Sequence, residues 1–201
     1  MEIRGLANQY PNYNNIISNI KGENNIFNGA LQKNARETDV QEEGDVIGIA
    51  MITEPNTICS WGMKAKFATD STEDNPIIYV ETNYKNQPKA YKISINDIDP
   101  NNATKLEMFA LCSYADQMGM GDKSTFGTYQ TLLGFEKMSI HNGFFNGKVV
   151  EEPAWDMFIS AKLDWENAFY KVKDLLYKCN DLGQYSKSLS ILDLFSKYPV
   201  K

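Results

Sequence analysis

The chain has 201 residues, a net charge of −6 and a pI near 4.9, and 42% of its residues are hydrophobic. This length suits one domain with a sizeable core, and the composition excludes a wholly disordered protein. The acidic balance and the lack of a basic run argue against direct binding to nucleic acid or an anionic membrane, because phosphate affinity depends on clustered Lys and Arg.

The cysteine pattern and the N-terminal sequence predict a cytoplasmic location. Cys59, Cys112 and Cys179 are odd in number and far apart, unlike a disulfide framework or a zinc site, so we expect reduced thiols. Residues 1–20 lack the pattern of a secretory signal, and no run reaches the roughly 18 apolar residues of a membrane span. We therefore expect no association with a membrane.

Residues 1–45 are rich in Asn, which favours turns over regular structure. Short helices could form at 16–20 and 30–36, although neither has a wide apolar face. The pattern predicts a loosely ordered leader that becomes ordered on a partner. Residues 46–201 are then one domain.

Four stretches between residues 46 and 95 predict a small antiparallel sheet. Residues 46–52 are apolar and β-branched, as in a buried strand, and residues 61–67 alternate with the period of two that places one face inward. Residues 77–84 and 91–95 follow as strands after polar turns. Short connections of this kind favour a meander.

A helix is predicted to start at Thr104, since Thr104 and Glu107 match the capping box, in which a hydroxyl and a carboxylate each accept from a free amide. Its apolar residues cover nearly the whole circumference, so we expect a central buried helix that ends at Gly119. Residues 124–138 predict a second helix.

The C-terminal part predicts two further helices. Pro153 opens a long segment that ends near Cys179, and Gly183 is interpreted as a helix stop. Ser186 is interpreted as the cap of the last helix. The fold class predicted from all these elements is α+β: a small antiparallel meander packed against a central buried helix and C-terminal helices.

Acidic residues just ahead of Thr104 are weak candidates for a metal site. Asp97, Asp99 and Asn101 with Glu107 resemble the start of a calcium loop, but the sixth position is Asn102 instead of Gly. Glu107 also falls one residue short of the bidentate position. Turn and cap roles explain these residues better. A metal-dependent enzyme that uses Asp97, Asp99 and Glu107 remains one alternative function.

No catalytic constellation is visible elsewhere in the sequence. His141 is the single histidine, so any Ser or Cys nucleophile with a His base would have to use it. Its neighbours, Asn142 and Gly143, indicate an exposed loop. We therefore assign no catalytic residue and no cofactor.

The apolar stripe of the long C-terminal helix leads to the preferred function. Trp165 and Phe169 lie on this stripe, and Trp155 lies near the start of the same predicted helix; large aromatic side chains are strong interface anchors. We expect a non-enzymatic protein-interaction or regulatory protein that binds a protein partner through Trp155, Trp165 and Phe169.

A third hypothesis concerns the acidic clusters at 42–45, 70–74 and 151–152. An inhibitor encoded on a mobile element could mimic nucleic acid by charge if the three clusters shared one face. Solvated loop charge is the simpler interpretation of these clusters.

The region between residues 61 and 116 also carries a resemblance. Its most distinctive part is the run 91–98, followed by Asp99, Pro100, Asn102, Ala103, Thr104, Leu106, Glu107, Met108, Ala110, Ser113, Tyr114 and Asp116. This region resembles an uncharacterised protein family of Clostridia and related gut Firmicutes. The resemblance implies an intracellular bacterial protein with a shared strand, turn and helix unit, and it assigns no activity.

Overall fold

The computed structural model describes residues 35–39, 43–53, 60–84, 87–121, 127–145 and 155–198, with the backbone alone at 155–157. Residues 1–34 lie outside this set, so the leader hypothesis for them stays a prediction. Within the described residues no helix has the length and hydropathy needed to cross a bilayer.

Within the described residues the sheet has five strands: β1 Ala35–Thr38, β2 Val46–Thr53, β3 Ser60–Phe67, β4 Ile77–Thr82 and β5 Lys89–Ser94. Their order is β1-β5-β4-β3-β2, and every neighbouring pair is antiparallel. Strands β2 to β5 form the predicted meander. The first strand adds to it beside β5, at the edge opposite β2.

The leader boundary at residue 45 is wrong, because β1 belongs to the sheet. Ala35 is buried opposite Ile93 of β5, and Thr38 lies opposite Ala90. The helix expected at 30–36 therefore does not extend through Ala35 and Arg36. A polar four-residue strand has too little alternation to be recognised from sequence, and its pairing with a distant strand decides its conformation.

Alternation along the strands gives the sheet two different faces. On β3 the side chains of Trp61, Met63 and Ala65 are buried against the helices, whereas Lys64 and Lys66 project from the other face. We call these the inner and outer faces. The period of two read from the sequence is confirmed here.

Within the described residues five helices complete an α+β fold: α1 Lys105–Gln117, α2 Gly127–His141, α3 Trp155–Ser160, α4 Trp165–Lys178 and α5 Leu182–Ser196. Helix α1 packs directly on the inner face against β2 and β4, and Phe158 of α3 contacts Trp61. The predicted start of α1 is confirmed: the hydroxyl of Thr104 accepts from the Glu107 amide at 3.1 Å, and Glu107 Oε2 accepts from the Thr104 amide at 2.6 Å. Most of α1 is buried, and it packs against β2 and α2.

The single long helix predicted between Pro153 and Cys179 is wrong. Leu163 pairs with Ala103 through two backbone hydrogen bonds of 2.9 and 3.2 Å, which interrupts the helix, and Asp164 then caps α4 by accepting from the Asn167 amide. Both halves are helical, but a distant chain segment decides the break. Pro153 itself lies outside the described residues.

The predicted roles of Gly183 and Ser186 are also wrong, because both lie inside α5. The chain turns earlier, at Asn180, whose φ of 57° is in the left-handed region that Asn tolerates. The Asp181 carboxylate then accepts from the Gln184 amide and caps α5. Asn180 and Asp181 thus take the roles of helix stop and helix cap that the sequence predicted for Gly183 and Ser186.

Candidate functional site

Trp165 and Phe169 lie in the core and not on a binding surface. Both are 0% exposed, and the Trp165 indole donates to the Ala103 carbonyl oxygen at 2.8 Å. The Phe169 ring lies 5.6 Å from the rings of Phe135 and Phe195 on α2 and α5. The docking role expected for these two residues is corrected accordingly, and the side chain of Trp155 lies outside the described residues.

The weak metal candidates have structural partners instead of forming one site. Glu107 is 2% exposed, and while its Oε2 caps α1, its Oε1 lies 3.7 Å from Lys162 Nζ. Asp99 Oδ1 accepts from the Asn101 amide at 2.9 Å, as in a turn. Asp97 is exposed on the 3₁₀ turn Ile95–Asp97. Within the described residues no three His, Cys, Asp or Glu side chains are grouped to hold a metal.

Several largely buried polar side chains lie where α1 and α2 pack together. Lys105 Nζ lies 2.5 Å from Glu136 Oε1, an ion pair without hydrogen-bond geometry, and both side chains are largely buried. Burial raises the pKa of Tyr129 well above its usual value, with the charge of Glu136 adding to the shift. Burial likewise raises the pKa of the Cys112 thiol, and the charge of Asp116 raises it further. Cys112 therefore stays protonated and is a poor nucleophile.

The remaining polar candidates carry no assembled chemistry in the described part of the chain. His141 is exposed in the last turn of α2. Of the acidic clusters, Glu43, Asp45 and the members at 70–74 that the structure describes lie at the surface, and Asp70 pairs with Lys92 at 2.9 Å. The members at 42 and 151–152 lie outside the described residues.

The outer face of the sheet forms an open groove of about 990 Å³. On this face Lys64 of β3 lies opposite Glu81 of β4, and Lys66 of β3 lies opposite Tyr79 of β4. Lys66 Nζ donates to Glu81 Oε1 at 2.8 Å, whereas Lys64 is exposed and has no ion pair within the described residues. One wall of the groove comes from the connection between β1 and β2, through Asp39, Glu43 and Gly44.

One rim of this groove is apolar and exposed. Ile49 and Met51 project from the outer face of β2 with exposed fractions of 72% and 70%, and Val46 is 43% exposed at the start of the strand. We call Val46, Ile49 and Met51 the β2 patch. Met51 lies opposite Gly62, which has no side chain to cover it, and Ile49 lies opposite Lys64. The β2 patch is therefore an exposed apolar surface beside the positively charged side chain of Lys64.

Sequence reasoning missed this patch because it interpreted residues 46–52 as a buried strand. Ala50 and Ile52 are indeed buried, but Ile49 and Met51, which alternate with them, are exposed. An apolar run gives no alternation from which to tell an inner from an outer side chain. In the described residues α1 packs on the inner face of β2, which the sequence does not reveal, and the outer-face side chains of the run stay uncovered.

No family model, curated protein or solved structure matches this chain. The resemblance of residues 61–116 to a clostridial family is thus an expectation without further support, and the functional argument depends on the geometry of the molecule.

Proposed function

We propose that this protein is a non-enzymatic interaction protein and that another polypeptide docks on its β2 patch. The observation that carries the proposal is the exposure of Ile49 and Met51, two large apolar side chains on the same face of an edge strand. This replaces the surface on α4 that the sequence suggested.

Covering the β2 patch would contribute part of the free energy of docking. Full burial of an Ile or Met side chain stabilises by about 1.5–3 kcal/mol, so covering the 72% and 70% now exposed contributes about 1–2 kcal/mol for each. The neighbouring Lys64 ammonium could pair with an acidic group at the rim. Such an apolar centre with a polar rim is typical of protein interfaces.

The chemistry of the described titratable groups supports a binding role over catalysis. Glu107 and Asp99 are used for a helix cap and a turn, and the Cys112 thiol is held in its protonated form. The alternative of a metal-dependent enzyme at Asp97, Asp99 and Glu107 gains no support from these contacts. We also infer an intracellular setting, in which Cys112 and the exposed Cys179 stay reduced.

Site-specific photocrosslinking tests the proposal. A photoreactive residue would replace Met51 in the full chain, expressed in cells that make the protein natively, with the same residue at Leu189 as the control. Leu189 is 42% exposed on α5, on another part of the surface. We expect a polypeptide adduct at position 51 that is lost when Ile49→Lys is added, and little adduct at position 189.

Two results would contradict the proposal. One is the absence of any polypeptide adduct at position 51. The other is an adduct that forms equally at positions 51 and 189 and survives the Ile49→Lys change, since this is the behaviour of random collisions.

A further inference from the structure

We infer that the polypeptide that covers the β2 patch is a second copy of this chain, paired antiparallel along the free edge of β2. The inference rests on the proposed function, because it takes the β2 patch as the docking surface and names its occupant. Two five-stranded sheets would then join into one continuous sheet through a two-fold axis.

The first argument is the open backbone of β2. Within the described residues β2 pairs with β3 alone, so about half of its backbone N–H and C=O groups point away from the sheet. A register irregularity occurs between Val46 and Gly48, but from Gly48 to Thr53 the strand is regular. Six consecutive residues are thus shaped to accept another strand.

The second argument is the lack of the usual protection at this edge. Native edge strands carry charged residues or Pro that prevent pairing with other chains. None of the eight residues of β2 is charged and none is Pro. The opposite edge differs: β1 has only four residues and includes Arg36 and Glu37.

The third argument is that β2 is complementary to itself. In an antiparallel pair with the two-fold axis at Ala50, Ile49 lies opposite Met51 of the second copy, and this contact occurs twice. On the inner side Gly48 lies opposite Ile52, so a small residue meets a large one. Apolar cross-strand pairs of this kind each stabilise a sheet, and no charged pair opposes them.

Charge on the neighbouring strand does not prevent the pairing. In the joined sheet the two Lys64 strands are three strand spacings apart, about 14 Å, which exceeds the roughly 8 Å over which charges act at physiological salt. Each chain carries a net charge of −6, so added salt should strengthen the association slightly. An acidic peptide bound at Lys64 would show the opposite response.

Sedimentation equilibrium of the purified full chain over a wide concentration range tests the inference. A short edge-to-edge interface predicts a weak dimer whose fraction increases with concentration. Met51→Lys places an ammonium opposite each Ile49, and we expect it to raise the dimer dissociation constant at least about tenfold. Leu189→Lys is the matched control and should leave the constant unchanged.

Amide hydrogen exchange adds a readout specific to strand pairing. Outward-pointing amides between Gly48 and Thr53 should exchange more slowly as the wild-type concentration rises, and this change should be absent in Met51→Lys. Because Met51 is 70% exposed, the variant should keep the wild-type unfolding midpoint, which checks that it is folded.

The inference is overturned if the wild type stays monomeric, if Met51→Lys dimerises like the wild type, or if salt weakens the association strongly. These results are distinguishable from a failure of the proposed function. A monomeric wild type that still gives an Ile49-dependent adduct with a different protein at position 51 refutes the second copy alone. No adduct and no dimer refute both.

Discussion

At Gly48 the edge strand β2 packs closely against the central helix α1. A Cβ atom added at Gly48 would overlap Ser113 Oγ and lie 2.6 Å from Ser113 Cβ. Ser113 cannot easily move away, because its side chain is 3% exposed and its hydroxyl donates to the Phe109 carbonyl oxygen at 2.8 Å. Gly48→Ala therefore forces the strand and the helix apart.

The expected cost follows from the size of the overlap. Adding a methyl group to a well-packed contact costs about 1–3 kcal/mol, since neighbouring side chains and backbone must shift. We expect Gly48→Ala to lower the free energy of unfolding by an amount in this range. For a chain of this length that corresponds to roughly 2–12 °C in the unfolding midpoint.

Chemical denaturation with a matched control measures the effect. Gly134 lies inside α2 with nothing within 4 Å of an added Cβ, so Gly134→Ala should stabilise the protein by about 0.5–1 kcal/mol. The same substitution thus has opposite signs at the two positions. Gly48→Ala combined with Ser113→Gly should show a favourable coupling of about 0.5–3 kcal/mol in a double-mutant cycle.

The reasoning is refuted if Gly48→Ala changes the free energy of unfolding by less than about 0.5 kcal/mol, the range expected of an ordinary surface substitution. Zero coupling with Ser113→Gly would also refute it, because the cost would then arise from something other than this contact.

Three further predictions concern the helices and the buried polar groups. Thr104→Ala removes the cap of α1 and should lower the free energy of unfolding by about 1 kcal/mol in denaturant titration, with Thr104→Ser as the conservative control. Glu136→Ala leaves Lys105 buried without its partner and should cost about 3–5 kcal/mol, most of which a second change, Lys105→Met, should restore. Burial, with a smaller effect of Tyr114, raises the pKa of Tyr198 to about 12. The contribution of this group to stability is complete below the unfolded pKa near 10 and should be lost as the pH rises from 10 towards 12. Tyr198→Phe should reduce this loss in unfolding curves measured at alkaline pH.

Local signals predicted the sheet and the central helix well. The alternation around Met63 and the capping box at Thr104 act over a few residues, so they can be interpreted without knowing the rest of the fold. The apolar stripe on α4 was also identified correctly as a surface that must be covered. Its partner proved to be the chain itself, since Phe169 packs against α2 and α5.

Contacts between distant segments decided what local signals could not. The break between α3 and α4 depends on the pairing of Leu163 with Ala103, and the strand at Ala35–Thr38 depends on its pairing with β5. The same physics explains the candidate site. Ile49 and Ala50 are both apolar in the sequence, but Ala50 points to the face on which α1 packs and is buried, whereas Ile49 points to the other face and is exposed.

The sequence by itself thus determined the elements whose stabilising contacts are local, which are the period of two in β3, the cap of α1 and the apolar face of α4. The tertiary structure alone decided which apolar side chains are covered, because burial depends on neighbours that are remote along the chain. For this reason Trp165 and Phe169, predicted to bind a partner, lie in the core, and the strand expected to be buried exposes Ile49 and Met51, on which the proposed docking surface is based.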